Sequence, residues 1–185
     1  MSTTTRKLEA ELFGRETDFE YSEHWIGYSL LGVRVVMAWV FLQAGLDKLF
    51  ESGGWTAAGY LENAVPAGNP FGGLWVDLAA IALVDPLVVW GQILIGLALL
   101  FGVAVRFAAF WGAVQMVVFW MSNLEGGIAA GLPIEHGWVV SSHVVYVLLL
   151  FAIGAAGAGR FLGLDATVEK LRVVRENRWL RYLLG

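Results

Sequence analysis

Five polar side chains stand out in a chain that is otherwise rich in hydrocarbon: Gln43, Asp47, Lys48, Gln115 and His143. Amides, carboxylates, ammonium groups and imidazoles at membrane depth are costly unless they are paired or line a cavity. Together they offer donors and acceptors to one small, flat ligand held between apolar walls. On a helix, Gln43 and Asp47 lie four apart and share a face. Gly45 and Lys48 lie three apart and share another, rotated by about 100°. The plainer alternative for Asp47 and Lys48 is a helix end at the interface, with Lys48 snorkelling and Asp47 paired or solvated. The C-terminal end of a helix disfavours a carboxylate, so Asp47 needs a partner.

Other groups compete for attention. Gln43, Gln92 and Gln115 fall in three different apolar segments. Buried amides there either hydrogen-bond across helices or line a shared polar cavity. The two outer-side histidines, His136 and His143, raise a haem or metal reading, while His24 lies on the opposite side. There is no C-x-x-C-H site and no histidine pair on facing segments, so structural histidines are the better reading. Arg34 reads as a partner for an internal carboxylate or as a cation snorkelling to the interface.

The composition says what kind of scaffold must position these groups. Of 185 residues, 58% are hydrophobic and only 15% charged. Soluble domains average near 25% charged, so this is an integral membrane protein. The chain has no cysteine, which removes thiol relays, disulfides and thiolate–metal centres from this chain alone. No nucleotide-binding loop and no nucleic-acid pattern is present.

Four apolar spans are expected, near 25–50, 86–105, 107–123 and 138–158, forming an all-α, four-transmembrane-helix bundle. Residues 1–24 read as a polar tail with a short amphipathic helix around Leu8, Leu12 and Phe13. Residues 25–158 form the membrane domain, and residues 159–185 an amphipathic tail helix capped by Asp165. Leu74 to Val84 is too short to span and reads as an interfacial or re-entrant helix roofing the site. Asp85-Pro86 reads as N-cap and first helical residue. Trp25, Tyr28, Trp55, Tyr60, Trp138 and Trp179 suit interface belts. A Gly-rich loop, 124–137, holds Glu135 and His136. Gly154 and Gly157 suit close helix contact.

Basic residues give the orientation. Both tails and the Arg106 turn carry ten of the twelve Lys and Arg residues. By the positive-inside bias both termini are cytoplasmic, and the five candidate residues then lie towards the outer face.

Several of these stretches together resemble the DoxX family. Gly45-Leu-Asp-Lys48-Leu49 resembles its G-x-x-K-L signature. Gly96-Leu-Ala-Leu-Leu-Phe-Gly102 with Arg106-Phe-Ala-Ala109 looks like its second-to-third-helix hairpin. Gly157-Ala-Gly159-Arg160 with Asp165 is similar to its closing segment. The resemblance covers about Gly32 to Asp165. Relatives often carry Glu where this chain has Gln92, so no carboxylate stands there. The family includes DoxD, the small membrane subunit of thiosulfate:quinone oxidoreductases. The resemblance implies a DoxX/DoxD-like fold, with quinone as the cofactor class for the Gln43, Asp47, Lys48, Gln115 and His143 pocket. It also implies a redox partner subunit, beside membrane lipid and a second copy as contacts. The rival is a non-catalytic subunit that assembles a larger complex. A polar pocket argues for the first, a dry and fully packed bundle for the second.

Overall fold

Two spacings compete at the N-terminus. Leu8 and Leu12 lie four apart, as on a helix, while Arg6, Leu8 and Ala10 alternate with Lys7, Glu9 and Glu11, as on a strand. The computed structural model describes residues 5–12, 14–125 and 140–185. It decides for the strand: β1 (Thr5–Leu12) and β2 (Arg15–Ser22) form an antiparallel hairpin. Gly14, at φ +74°, makes the turn. Leu8 faces Phe19 across the ladder, and Lys7 reaches Asp18 at 2.6 Å. The expected amphipathic helix is corrected to this hairpin, so the chain is mainly helical rather than all-α. Phe13 lies outside the described residues.

Helix α1 (Glu23–Leu49) is 27 residues long, roughly 40 Å at 1.5 Å per residue, more than a ~30 Å hydrocarbon core requires. Two short helices follow, α2 (Ala57–Asn63) and α3 (Gly72–Ala79). Then come α4 (Val84–Phe101) and α5 (Val105–Ser122), joined by a tight turn, and α6 (Ser142–Ala155). Three helices, α1, α4 and α5, are long and apolar enough to cross a membrane; α6 is apolar but shorter. The expected start of the fourth span at Trp138, and the loop with Gly126, Gly127, Glu135 and His136, lie outside the described residues.

The helices pack in antiparallel pairs whose register is set by glycines. A Cβ on Gly45 would stand 2.7 Å from Ile93 Cγ1, and one on Gly96 would stand 2.9 Å from the Leu42 backbone nitrogen. Only the missing side chains let α1 and α4 approach so closely. Along α5 and α6, Ala109 meets Gly154 and Phe119 meets the His143 ring. Gly112 is the meeting point of α1, α4, α5 and α6: Phe41, Ile95 and Leu150 each come within 3.3 Å of where its Cβ would be. Around it Met37, Ala38, Leu99, Met116 and Ile153 complete a dry core. Val36, Trp39, Leu94, Phe110, Leu148 and Phe151 point outward, which suits lipid as the surrounding solvent.

The tail departs from the single amphipathic helix expected. After a 3-10 turn (Ala158–Arg160) it forms three short helices, α7 (Asp165–Val168), α8 (Arg172–Glu176) and α9 (Arg178–Arg181). The break between α7 and α8 passes through an extended Leu171 and that between α8 and α9 through an extended Asn177. The Asp85 expectation is also corrected. Helix α4 begins at Val84, and the Asp85 carboxylate instead accepts the Ala57 amide at 2.7 Å. Pro86 sits within the first turn, where its missing N–H costs nothing.

Candidate functional site

The bundle has two polar ends. At one, which we term the lid end, the α2–α3 segment folds over the last turn of α5. Asn69 is the clamp. Its Nδ2 donates to the carbonyls of Met121, Ser122 and Leu124, at 2.9, 3.2 and 2.9 Å. Its Oδ1 accepts from the Phe71 amide and from Trp75 Nε1, both at 2.9 Å. Trp75 is thereby buried to 2% exposure. Tyr60, Ser122 and Asn123 form a second polar contact between lid and α5. Nothing in the sequence marked Asn69 as more than a loop breaker before Pro70. The one available signal was an indole, Trp75, that must find an acceptor once buried.

Lys48 is held under this lid. Its Nζ donates to Ala44 O at 3.1 Å and lies 5.5 Å from the centre of the Trp55 ring, a cation–π distance. Trp55 in turn packs on Leu42, Val89 and Ile93. Gly45 and Lys48 thus share the side of α1 that meets α4 and the lid. Gln43 and Asp47 are on the exposed side of the same helix. The structure does not gather all five candidates into one pocket.

Gln115 and His143 do approach the same region. Gln115 Nε2 reaches Val88 O at 3.5 Å and lies beside Gly91, on the α4 side of α5. One turn further, Phe119 stacks edge-on against His143. Gln92, buried to 2%, lies against Gly45 at similar height. Among the described residues, Gln92 Oε1, Gln115 Oε1 and His143 Nδ1 are buried with no hydrogen-bond partner. Three such atoms on α4, α5 and α6, one turn or two above the dry Gly112 layer, are unusual, since buried polar atoms are nearly always satisfied. Among the described residues, no group of three His, Cys, Asp or Glu side chains is placed to hold a metal. His136 lies outside the described residues.

At the other end, the turn end, the charge is used for architecture. Arg34 is 1% exposed. It does not snorkel, and among the described residues it makes no contact ion pair, though Asp165 is near enough to act on it electrostatically; it donates to the carbonyls of Ala158, Phe161 and Leu162 at 2.6, 3.0 and 3.3 Å. Asp165 is the complementary acceptor. It takes the amides of Ala104, Val105 and Gly185 at 2.7, 3.2 and 2.6 Å. Its expected role as cap of a tail helix gives way to capping α5 from a distance, through the first free N–H groups of that helix. Beside this knot, Gly27, Tyr28, Leu31, Phe161 and Leu162 line an open groove of about 380 Å³ with Glu23, His24 and Arg160 at its rim. None of the five sequence candidates lines it.

With the geometry laid out, comparison with known proteins adds the family. The family model described as DoxX matches residues 29–123, half of the chain. An uncharacterized protein of Haemophilus influenzae is 27% identical over 158 residues, covering 85% of this chain and 93% of that protein. No solved structure matches. The chain belongs to the DoxX family of membrane proteins, and the matched region runs from α1 to the end of α5.

Proposed function

We propose that this DoxX-family protein holds a small, flat, hydrogen-bonding headgroup of the quinone class at the lid end of its bundle. A partner subunit supplies the redox chemistry. The observation that carries this reading is the set of three buried, unpaired atoms: Gln92 Oε1, Gln115 Oε1 and His143 Nδ1. A buried acceptor without a donor costs about 1–3 kcal/mol, and one bound group with two polar ends relieves two of them at once.

The residues suit such a group. A hydroquinone hydroxyl donates to an amide oxygen, and a quinone carbonyl accepts from an amide N–H. Gln115 Nε2 is free to turn to it, because its bond to Val88 O is at the limit of hydrogen-bond length. Lys48 and Trp55 pair at the same end of the bundle, and Gln43 and Asp47 lie exposed on α1, available to a partner. In this reading α6 belongs to the fourth crossing. Both termini are cytoplasmic, and the lid end faces outward.

A second reading, an assembly subunit without a ligand, draws support from the packed, dry layer around Gly112. Mass spectrometry of lipid extracts from protein purified in mild detergent separates the two. The ligand reading expects co-purified quinone that is reduced in Gln92→Leu and Gln115→Leu variants that remain folded. Equal quinone content in wild type and both variants leaves the assembly reading.

A further inference from the structure

From the basic cleft of the tail, we propose a binding site for the phosphate headgroup of an anionic membrane lipid, such as a phosphatidylglycerol. Lys170, Arg172, Arg175 and Arg181 line one open cleft of about 560 Å³, with Glu176 as its one carboxylate. Arg172 is paired with Glu176 at 2.6 Å. The tail's other acids are engaged elsewhere: Glu169 binds Arg160 at 2.7 Å, and Asp165 is buried among amides. Among the described residues no ion pair is formed by Lys170, Arg175 or Arg181. Four cations thus share one cleft with a single carboxylate, which Arg172 already engages, and a phosphate diester would supply the further negative charge.

Position argues for a lipid as the source. The tail leaves the bundle at Asp165, which binds the α4–α5 turn, and returns at Leu183, whose carbonyl accepts the Phe107 amide at 3.2 Å. Val174 is buried in between, and Leu184 just after the return. The cleft is therefore fixed at the end of helices whose flanks expose Leu100, Phe101 and Phe107, where hydrocarbon gives way to headgroups. Trp179 and Tyr182, exposed at 62% and 74%, are the residue types that anchor at that depth. Basic residues beside such anchors favour anionic over zwitterionic lipid.

The test uses the full chain in mild detergent. Its melting temperature is measured with added phosphatidylglycerol, with phosphatidylcholine, and with inorganic phosphate. Phosphatidylglycerol is expected to raise it, while the other two leave it unchanged. The Arg175→Gln/Arg181→Gln variant should melt normally without lipid and lose the rise. The Arg175→Lys/Arg181→Lys variant should keep it. An equal rise with phosphatidylcholine, or a full rise in the Gln variant, overturns the site. A rise with inorganic phosphate alone overturns the lipid as its occupant. Should the Gln variant fail to fold, lipid mass spectrometry on the wild type decides, with enrichment of phosphatidylglycerol over the bulk extract required.

Discussion

Arg34 and Ala158 are 124 residues apart in sequence and 2.6 Å apart in space, guanidinium nitrogen to carbonyl oxygen. This contact and its two neighbours hold the 158–162 segment in place, including Leu162 at φ +50°. Removing the cation takes a donor from three carbonyls, of which Ala158 O keeps the Phe161 amide at 3.3 Å. Arg34→Met is expected to lower stability by about 3 kcal/mol, at the upper end for hydrogen bonds to a charged group. Arg34→Lys should rescue only part of this, because an ammonium lacks the planar fork. Detergent melting curves give the loss, and limited proteolysis near Leu162 should accelerate in step with it. Unchanged proteolysis would mean that other contacts hold the segment.

Gly96 and Gly32 make a matched pair on helices α4 and α1. A Cβ on Gly96 would meet Leu42 N at 2.9 Å and Ala38 O at 3.0 Å, both backbone atoms, whereas at Gly32 nothing lies within 4 Å. Gly96→Ala should force α1 and α4 apart and cost about 1–3 kcal/mol, as overpacking does. Gly32→Ala should be neutral or slightly stabilising, since alanine favours the helix. Similar melting temperatures for the two variants would mean that the α1–α4 contact yields easily.

Asn69→Leu removes both functions of the lid clamp. Trp75 Nε1 loses its acceptor, and the end of α5 loses a donor shared by three carbonyls. Hydrogen exchange at Phe71 and Trp75, and a red shift of tryptophan emission, should report lid opening. The dry core around Phe41 should keep its protection. Loss of protection throughout would show that lid and bundle unfold as one unit.

The absence of cysteine makes topology direct to measure. A cysteine at Gly53, in the loop after α1, should react in whole cells with an impermeant thiol reagent. One at Glu176 should react only after lysis. The opposite pattern would invert the orientation drawn from the Lys and Arg distribution.

The sequence made the long helices legible because their apolar runs are long and their glycines mark the contacts. Gly45 and Gly96 were visible as parts of motifs, and each proves to be a point of backbone approach. The N-terminal hairpin was not legible, because Leu8 and Leu12 satisfy the helical period as well as the strand period over so short a run. Arg34, Asn69 and Asp165 could be seen as polar but not placed. Their partners are backbone groups far away in sequence, and backbone groups carry no signature in the residue order. Gln43 and Asp47 illustrate the limit for the site. Four-residue spacing puts them on one face, but only packing decides that this face of α1 is the exposed one.

The Asp165 contacts also impose an order in time. The amides of Ala104 and Val105 start α5, yet the carboxylate that satisfies them is encoded 61 and 60 residues later. At about 5–20 residues per second, the hairpin of α4 and α5 spends several seconds of synthesis with that turn unsealed. Water must serve as the acceptor during this interval. The turn is therefore expected to remain on an aqueous side of the translocation machinery until residue 165 has emerged. Ribosome-arrested chains stopped short of Asp165 should be cleaved by protease at Ala104, and chains arrested well beyond Gly185 should resist. Equal cleavage of both would separate the seal from the order of synthesis.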